Sequence, residues 1–307
     1  MGISVYAPVV IPTLCRSDHF IRCVTSLMQC KGANYTDLIV GLDYPTKESH
    51  WKGYRIIDEF INSISGFKNV IVFKHMTNLG ATENIIYLRN YATDHYDRYI
   101  FTEDDNEFSP NFLEYINKGL EKYKDDPRVY SISGYNYPID MTGYCKNIYA
   151  YCASSAWGAG YWTKKYFAPN LSEMQKVARS PFKLLKIYHS RPVGVLNLAI
   201  MLYENKVYGD VYTGTRLILE NRVSIFPTVS KVRNHGHDGS GIHCGNSLYN
   251  IFENQPIDAA GSFDFDDISI KSIKWKPLNA YLSIPFKAKI ASFLYLIKVW
   301  SHKNNKE

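Results

Sequence analysis

The chain has 307 residues, 46% hydrophobic and 21% charged, which excludes a disordered or fibrous protein and leaves enough chain to bury a large core. Its net charge of +6 is gathered at one end: from residue 268 onward eight lysines stand against one acid, so that stretch carries +7 and the rest −1. A nearly neutral body argues against nucleic acid as a partner, because a phosphate backbone needs a basic face on the folded domain.

The N-terminal run MGISVYAPVV lacks the basic start and long apolar stretch of a secretion leader, so the expectation is a cytoplasmic protein. Residues 6–12 read as a buried strand, and 16–30 as a helix with Phe20, Val24 and Leu27 on one face. Residues 37–42 read as a second strand ending at Asp43, and 51–64 as a helix with Tyr54, Ile57, Ile61 and Ile64 at core spacing. A third strand (69–75), a helix (83–95) and a short fourth strand (99–102) follow, the last running into Glu103-Asp104-Asp105. Ser109-Pro110 matches the cap and first-turn preferences that open a helix.

Alternating strands and helices predict an α/β fold, a mainly parallel sheet with helices on both faces. Ligands of such sheets bind beyond the carboxyl ends of the strands, where Thr13, Asp43, Asn78 and the acidic triplet fall. Six cysteines show no CxxC pairing and no scaffold density, so free thiols and no disulfide are expected. Three adjacent acids form a solvated loop in many proteins; held on a tight turn after an apolar strand, they can instead bind Mg2+ or Mn2+, which favour oxygen ligands.

The segments VVIPTLCR, LIVGLDYP, NLGATEN, IFTEDDNEFSPNFLEYINKGL, SSAWGAGYWTKKY and NHGHDGSGIHCG, in this order over roughly residues 5–250, resemble the GT-A glycosyltransferases. The resemblance is to the family 2-like sugar transferases of bacterial polysaccharide synthesis and, more distantly, to the N-acetylglucosaminyltransferase I group. It implies a Rossmann-like GT-A domain over residues 1–255 and leaves 256–307 as a basic amphipathic tail. It also implies an inverting transfer from a UDP- or GDP-sugar to a hydroxyl of a glycan or lipid-linked acceptor, with Mn2+ or Mg2+ as cofactor.

By that resemblance Pro12, Thr13 and Arg16 meet the base and phosphates of the nucleotide, and Asp43 accepts a hydrogen bond from the base. Asn78, Gly80 and Asn84 flank the nucleotide, Asp104 binds ribose or metal, and Asp105 is the direct metal ligand, with Glu103 more structural. Trp157 and Gly158 approach the donor sugar; relatives carry a second tryptophan where this chain has Gly160 or Tyr161, which leaves the donor sugar unassigned. Asp210 stands where relatives carry the catalytic base, although the tryptophan that follows in them is absent; the plain alternative is a helix N-cap. The glycine-rich segment 234–245 reads as a lid whose His243 completes the metal shell or binds phosphate; a zinc site there would lack the usual spacing.

Phe286, Ile290, Phe293, Ile297 and Trp300 form one apolar stripe at helical spacing, flanked by lysines and too short to span a bilayer. Such a helix fits peripheral contact with an anionic membrane surface, and equally a docked C-terminal helix. Two rival classes stand beside the enzyme reading. A sugar nucleotidyltransferase would begin with a glycine-rich loop that VVIPTLCR does not match, and a non-catalytic nucleotide- or glycan-binding protein would need no base. Oligomeric state and acceptor are not encoded in any recognisable motif.

Overall fold

The structure, a computed structural model, describes residues 6–166, 168–239, 251–258, 264, 265 and 268–301. The first half is a regular alternation: β1 (Val9–Thr13), α1 (Ser17–Met28), β2 (Asp37–Leu42), α2 (Glu48–Ile61), β3 (Asn69–Lys74), α3 (Gly80–His95) and β4 (Arg98–Phe101). Each element follows its sequence pattern. In α1 the buried Phe20, Cys23, Val24 and Leu27 recur at three- and four-residue steps, and in β1 successive residues face opposite sides of the sheet. Val9 and Ile11 join the core under α1 and α2, while Val10 packs against Leu88 and Ala92 of α3.

The second half comprises β5 (Asn106–Phe108), α4 (Phe112–Lys122), β6 (Val129–Ser133), β7 (Ile148–Tyr151), β8 (Ala159–Trp162), α5 (Leu171–Ala178), α6 (Pro181–Ser190), α7 (Pro192–Tyr203), α8 (Gly209–Glu220), β9 (Val223–Pro227) and β10 (Val232–Asn234). Two further helices, α9 (Lys276–Tyr281) and α10 (Phe286–Ser301), close the described chain. The helix expected to open at Ser109-Pro110 begins at Phe112 instead. The short strand β5 intervenes, paired antiparallel with β10, a partner too distant in sequence for any local pattern to announce.

Among the described residues, eight strands form one sheet in the order β3-β2-β1-β4-β8-β6-β9-β7, in which β7 and β8 run against the other six. The fold is thus the Rossmann-like α/β arrangement expected, mainly parallel and covered by helices on both faces. After β1 the chain moves outward through β2 and β3, then returns to lay β4 on the other side of β1. The connections leave β1 and β4 in opposite directions, which opens a crevice at their carboxyl ends, the place where open parallel sheets bind ligands. Thr13 and the acidic triplet end those two strands.

The described cysteines Cys15, Cys23, Cys30, Cys145 and Cys152 are all free thiols. One glycine fixes the approach to the crevice: a Cβ on Gly53, in the middle of α2, would lie 1.8 Å from the backbone oxygen of Cys15. A glycine-to-alanine change inside a helix ordinarily gains about 1 kcal/mol. Here the β1–α1 connection, or α2 itself, would have to move. Gly53→Ala is therefore expected to destabilise the protein by about 1–3 kcal/mol in urea denaturation, the cost of overpacking. A stabilised variant would show that the helix approaches the loop less closely.

Candidate functional site

Beyond β4 the chain turns sharply and buries Asp104 and Asp105, only 4% and 6% exposed. Carboxylates removed from water need partners, and the β1–α1 connection supplies them. Arg16, at the start of α1, donates from Nη1 to Asp105 Oδ2 at 2.9 Å, and its Nη2 pairs with Asp104. Thr13 Oγ1 donates to Asp104 Oδ2 at 2.8 Å. Burial works against the charge of Arg16, but Asp104 and Asp105 outweigh it and hold the guanidinium firmly protonated.

The charges do not balance: one guanidinium faces three acids. Burial first, and then Asp105 and Asp104, push the Glu103 carboxyl up to about 7, although Trp157 Nε1 donates to its Oε2 at 3.1 Å. Burial also raises Asp104 in spite of Arg16.

The β5–β10 pair draws the late glycine-rich segment onto the triplet, with Asn234 opposite Asn106. Asn234 Nδ2 donates to Asp105 Oδ1 at 2.8 Å, and the His235 amide donates to the Asp105 carbonyl at 2.9 Å. At Gly236 a Cβ would stand 2.1 Å from Asp105 Oδ2, so the absence of a side chain is what lets this backbone close over the carboxylate. His237 lies edge-on to Trp157 at 5.8 Å between ring centroids, and His235 Nε2 meets Glu107 Oε2 at 2.8 Å. Asn234 and Glu107 lie in segments that carry the resemblance, but neither had a role assigned from sequence; their place follows from the pairing of two three-residue strands.

The other residues named from sequence divide into two groups. Pro12 pairs with Gly41 inside the sheet, while Gly158, buried with a φ of 64°, accepts a hydrogen bond from Gly134 and sits against Phe108 and Phe112 behind Trp157. Asp43 turns its carboxylate on the chain itself. Its Oδ1 accepts from the amides of Tyr44 and Leu79, and its Oδ2 from Asn78 Nδ2 and the Gly80 amide, at 2.8–3.1 Å. With four hydrogen bonds accepted, the carboxylate staples the start of α3, and a base would have to replace the bond from the exposed Asn78.

Asn84 is likewise engaged within the chain. It is 2% exposed, donates to the Gly41 carbonyl at 2.9 Å and meets His75 Nε2 at 3.1 Å, so it locks α3 to the sheet. Asn78 itself is exposed and also donates to the Tyr44 carbonyl at 2.7 Å.

Asp210 is the second residue of α8 and exposed; Tyr208, not Asp210, occupies the cap position. It lines a small cavity with Arg191, Asn197 and Thr215. The path from it to the triplet runs through rings: Tyr137, within electrostatic reach of both Arg191 and Asp210, lies 5.6 Å from Tyr135, which lies 4.8 Å from Trp157. His243 falls outside the described residues.

Among the described residues no three His, Cys, Asp or Glu side chains are grouped to hold a metal unaided. The triplet nevertheless suits a hard divalent cation. Its donors are all oxygen, and its negative charge exceeds what Arg16 offsets. Asp105 and Asp104 are the residues that would hold such an ion, with Arg16 yielding part of its contact.

No protein-family model and no curated protein matches the chain. Among solved structures it is similar to S. aureus TarS, with a TM-score of 0.34 and 14% identity over 56% of this chain and 30% of that one. It is also similar to TarS 1-349 in complex with UDP-GlcNAc, at 0.36 and 14% over 56% and 48%. The mannosyltransferase PcManGT from Pyrobaculum calidifontis, in complex with GDP-Man and Mn2+, scores 0.41 at 11% identity over 69% of this chain and 68% of that one. The match therefore spans from under a third to about half of the TarS chains, and none of these likenesses assigns a role to a residue of this protein.

Proposed function

We propose that the protein is a GT-A, family 2-like glycosyltransferase that moves a sugar, with inversion, from a UDP- or GDP-sugar to a hydroxyl of a glycan or lipid-linked acceptor. The observation that carries this reading is the placement of Thr13, Arg16, Asp104 and Asp105 together at the β1–β4 switch point, with surplus negative charge and with Trp157 beside them. Arg16 and Thr13 bind and orient the diphosphate, and Trp157 offers an apolar ring to the donor sugar. A divalent cation, when bound at Asp105 and Asp104, offsets the charge that develops on the departing diphosphate. Asp210 takes the proton of the attacking hydroxyl at its carboxylate.

The rival nucleotidyltransferase reading is disfavoured by the β1–α1 connection, which is only Leu14, Cys15 and Arg16 and holds no glycine to cradle phosphates. The test is a thermal-shift panel of UDP-, GDP- and CMP-sugars with and without Mn2+. A UDP- or GDP-sugar should raise the melting temperature only with the metal, and a flat response across the panel would end the reading.

The same reading places the enzyme on an anionic lipid surface. α10 docks on α7 through Ser292, Tyr295, Leu296 and Val299, which leaves the expected stripe outward, with Phe286 75% and Phe293 58% exposed. α6 and α5 each touch α10: Lys289 approaches the ring of Tyr188 in α6, and Trp300 Nε1 donates to the carbonyl of Ala178, the last residue of α5, at 3.2 Å. Phe182 and Leu185 of α6 are exposed too, and α6 and α10 carry Lys183, Lys186, Lys287, Lys289 and Lys298 with no acid. Apolar side chains among uncompensated lysines are complementary to anionic headgroups and the acyl layer beneath them. No described helix is long and apolar enough to cross a membrane.

Deleting α10 would uncover its partners on α7, so point substitutions make the better test. Phe286→Ser with Phe293→Ser is expected to weaken binding to phosphatidylglycerol-containing vesicles at least about tenfold while the melting temperature holds, since each buried phenylalanine contributes roughly 1.5–3 kcal/mol. Wild-type binding should fall with salt. Wild type that stays in the supernatant when such vesicles are pelleted at low salt would reject the surface.

A further inference from the structure

We infer that the cavity walled by residues 136–144 and 251–256 is a binding subsite for an uncharged saccharide. It measures about 570 Å³ and is bounded by the β6–β7 connection, by residues 228–230 after β9, and by the segment from Ile251 to Pro256. That volume lies within the range of small-ligand sites, and its lining combines flat apolar faces with neutral hydrogen-bonding groups. Tyr137, Ile139 and Tyr144 supply the first, and Thr228, Asn254 and Gln255 the second.

Gln255 shows what such a ligand would have to offer. It is 7% exposed, and its Nε2 is spent on the Asn136 carbonyl at 2.8 Å. Its Oε1 is buried with no hydrogen-bond partner among the described residues. A buried acceptor left unmade costs roughly 1–3 kcal/mol, and a turn of the Gln255 amide, whose residue lines the cavity, would let a ligand hydroxyl recover it. Neither Lys nor Arg is among the described residues lining the cavity; the charged side chain there is the exposed Asp140. An acidic sugar or a phosphate would meet no counter-charge, whereas a neutral sugar ring loses nothing.

The cavity lies one aromatic layer from the candidate site. Phe252, within its wall segment, packs 5.1 Å from Trp157 and 4.6 Å from His237, and Tyr137 reaches Trp157 through Tyr135. A saccharide held here would be separated from Glu103 by the rings of Tyr135 and Trp157. Resting on the glycosyl-transfer reading, the subsite takes the distal sugars of the acceptor and selects a neutral glycan.

The experiment is saturation-transfer NMR with wild type, Val229→Trp and Gln255→Leu against neutral methyl disaccharides (lactoside, cellobioside, chitobioside, mannobioside) and a methyl di-glucuronide. Val229 lines the cavity yet is 47% exposed, so a tryptophan there fills space without disturbing the core. At least one neutral disaccharide should give transfer that Val229→Trp abolishes and that Gln255→Leu weakens about three- to tenfold, the worth of one hydrogen bond. Should Gln255→Leu fail to fold, Val229→Trp alone decides. No transfer from any neutral member, transfer unchanged in Val229→Trp, or equal transfer from the glucuronide would each overturn the inference. Neither nucleotide-sugar nor metal is in the tube, so a donor that fails to bind leaves this result standing.

Discussion

Asp105→Asn is expected to abolish the Mn2+-dependent part of the thermal shift that a nucleotide-sugar gives the wild type, while the protein stays folded. Asparagine keeps the shape of the side chain and an oxygen for Asn234 or Arg16, and Arg16 retains Asp104 as its counter-charge. The metal-free variant should lose about 1–2 kcal/mol, the difference between a charged and a neutral hydrogen bond. The loss in binding is larger. At a donor concentration of about 100 Kd the wild type gains roughly 2.7 kcal/mol, and a variant that cannot hold the cation gains essentially none. A Mn2+-dependent donor shift of wild-type size in Asp105→Asn would remove Asp105 from the metal site and leave Asp104 to be tested in its place.

Arg16→Met examines the same charge balance from the other side. With the guanidinium gone, Asp104 and Asp105 stand buried without a counter-charge, a condition that costs about 3–5 kcal/mol. A divalent cation replaces the missing positive charge, so the stabilisation by Mn2+ alone should be greater in this variant than in wild type. That ordering of the two melting curves distinguishes an ion held by the carboxylates from one that binds elsewhere.

The first half of the fold was legible because its signals are local. α1 buries Phe20, Val24 and Leu27 as its spacing indicates, and β2 spans Asp37–Leu42 as read. The second half hides its order. β8 enters the sheet antiparallel between β4 and β6, and β5 exists only because β10 pairs with it. Neither relation leaves a periodic trace.

The site shows the same division. Thr13, Asp104 and Asp105 were placed at one crevice by their position after strands and Arg16 by the resemblance, and the structure joins the four by hydrogen bonds. Asp43 and Asn84 stood at equally suggestive positions but spend their polar atoms on the chain itself. Sequence names the acceptor atom; only the fold shows whether a neighbour has already taken it. Residues 136–144 and 251–256 bore no motif, and their cavity arises from loops meeting across the end of the sheet.

Asp210→Asn is expected to lower turnover by roughly 10²- to 10⁴-fold, the usual contribution of a general base, while donor affinity and the metal requirement stay at wild-type values. The geometry makes this a clean substitution. Asp210 is exposed, lies in the first turn of α8 and makes no capping hydrogen bond, so asparagine disturbs neither the helix start nor the core. Loss of its charge at a helix N-terminus costs only about 0.3–1 kcal/mol of stability. A merely structural Asp210 would show that small loss and nothing in the rate. A non-catalytic binding protein would show no turnover to lose. The stereochemistry of the product provides a separate reading: a base on the acceptor hydroxyl implies one displacement at the anomeric carbon, and therefore inversion. Retention of configuration, or near-normal turnover in Asp210→Asn, would take the role of base away from this residue. The search would then pass to Glu103, the third acid of the triplet, whose carboxyl burial and the neighbouring Asp105 and Asp104 push up from the usual carboxylate range.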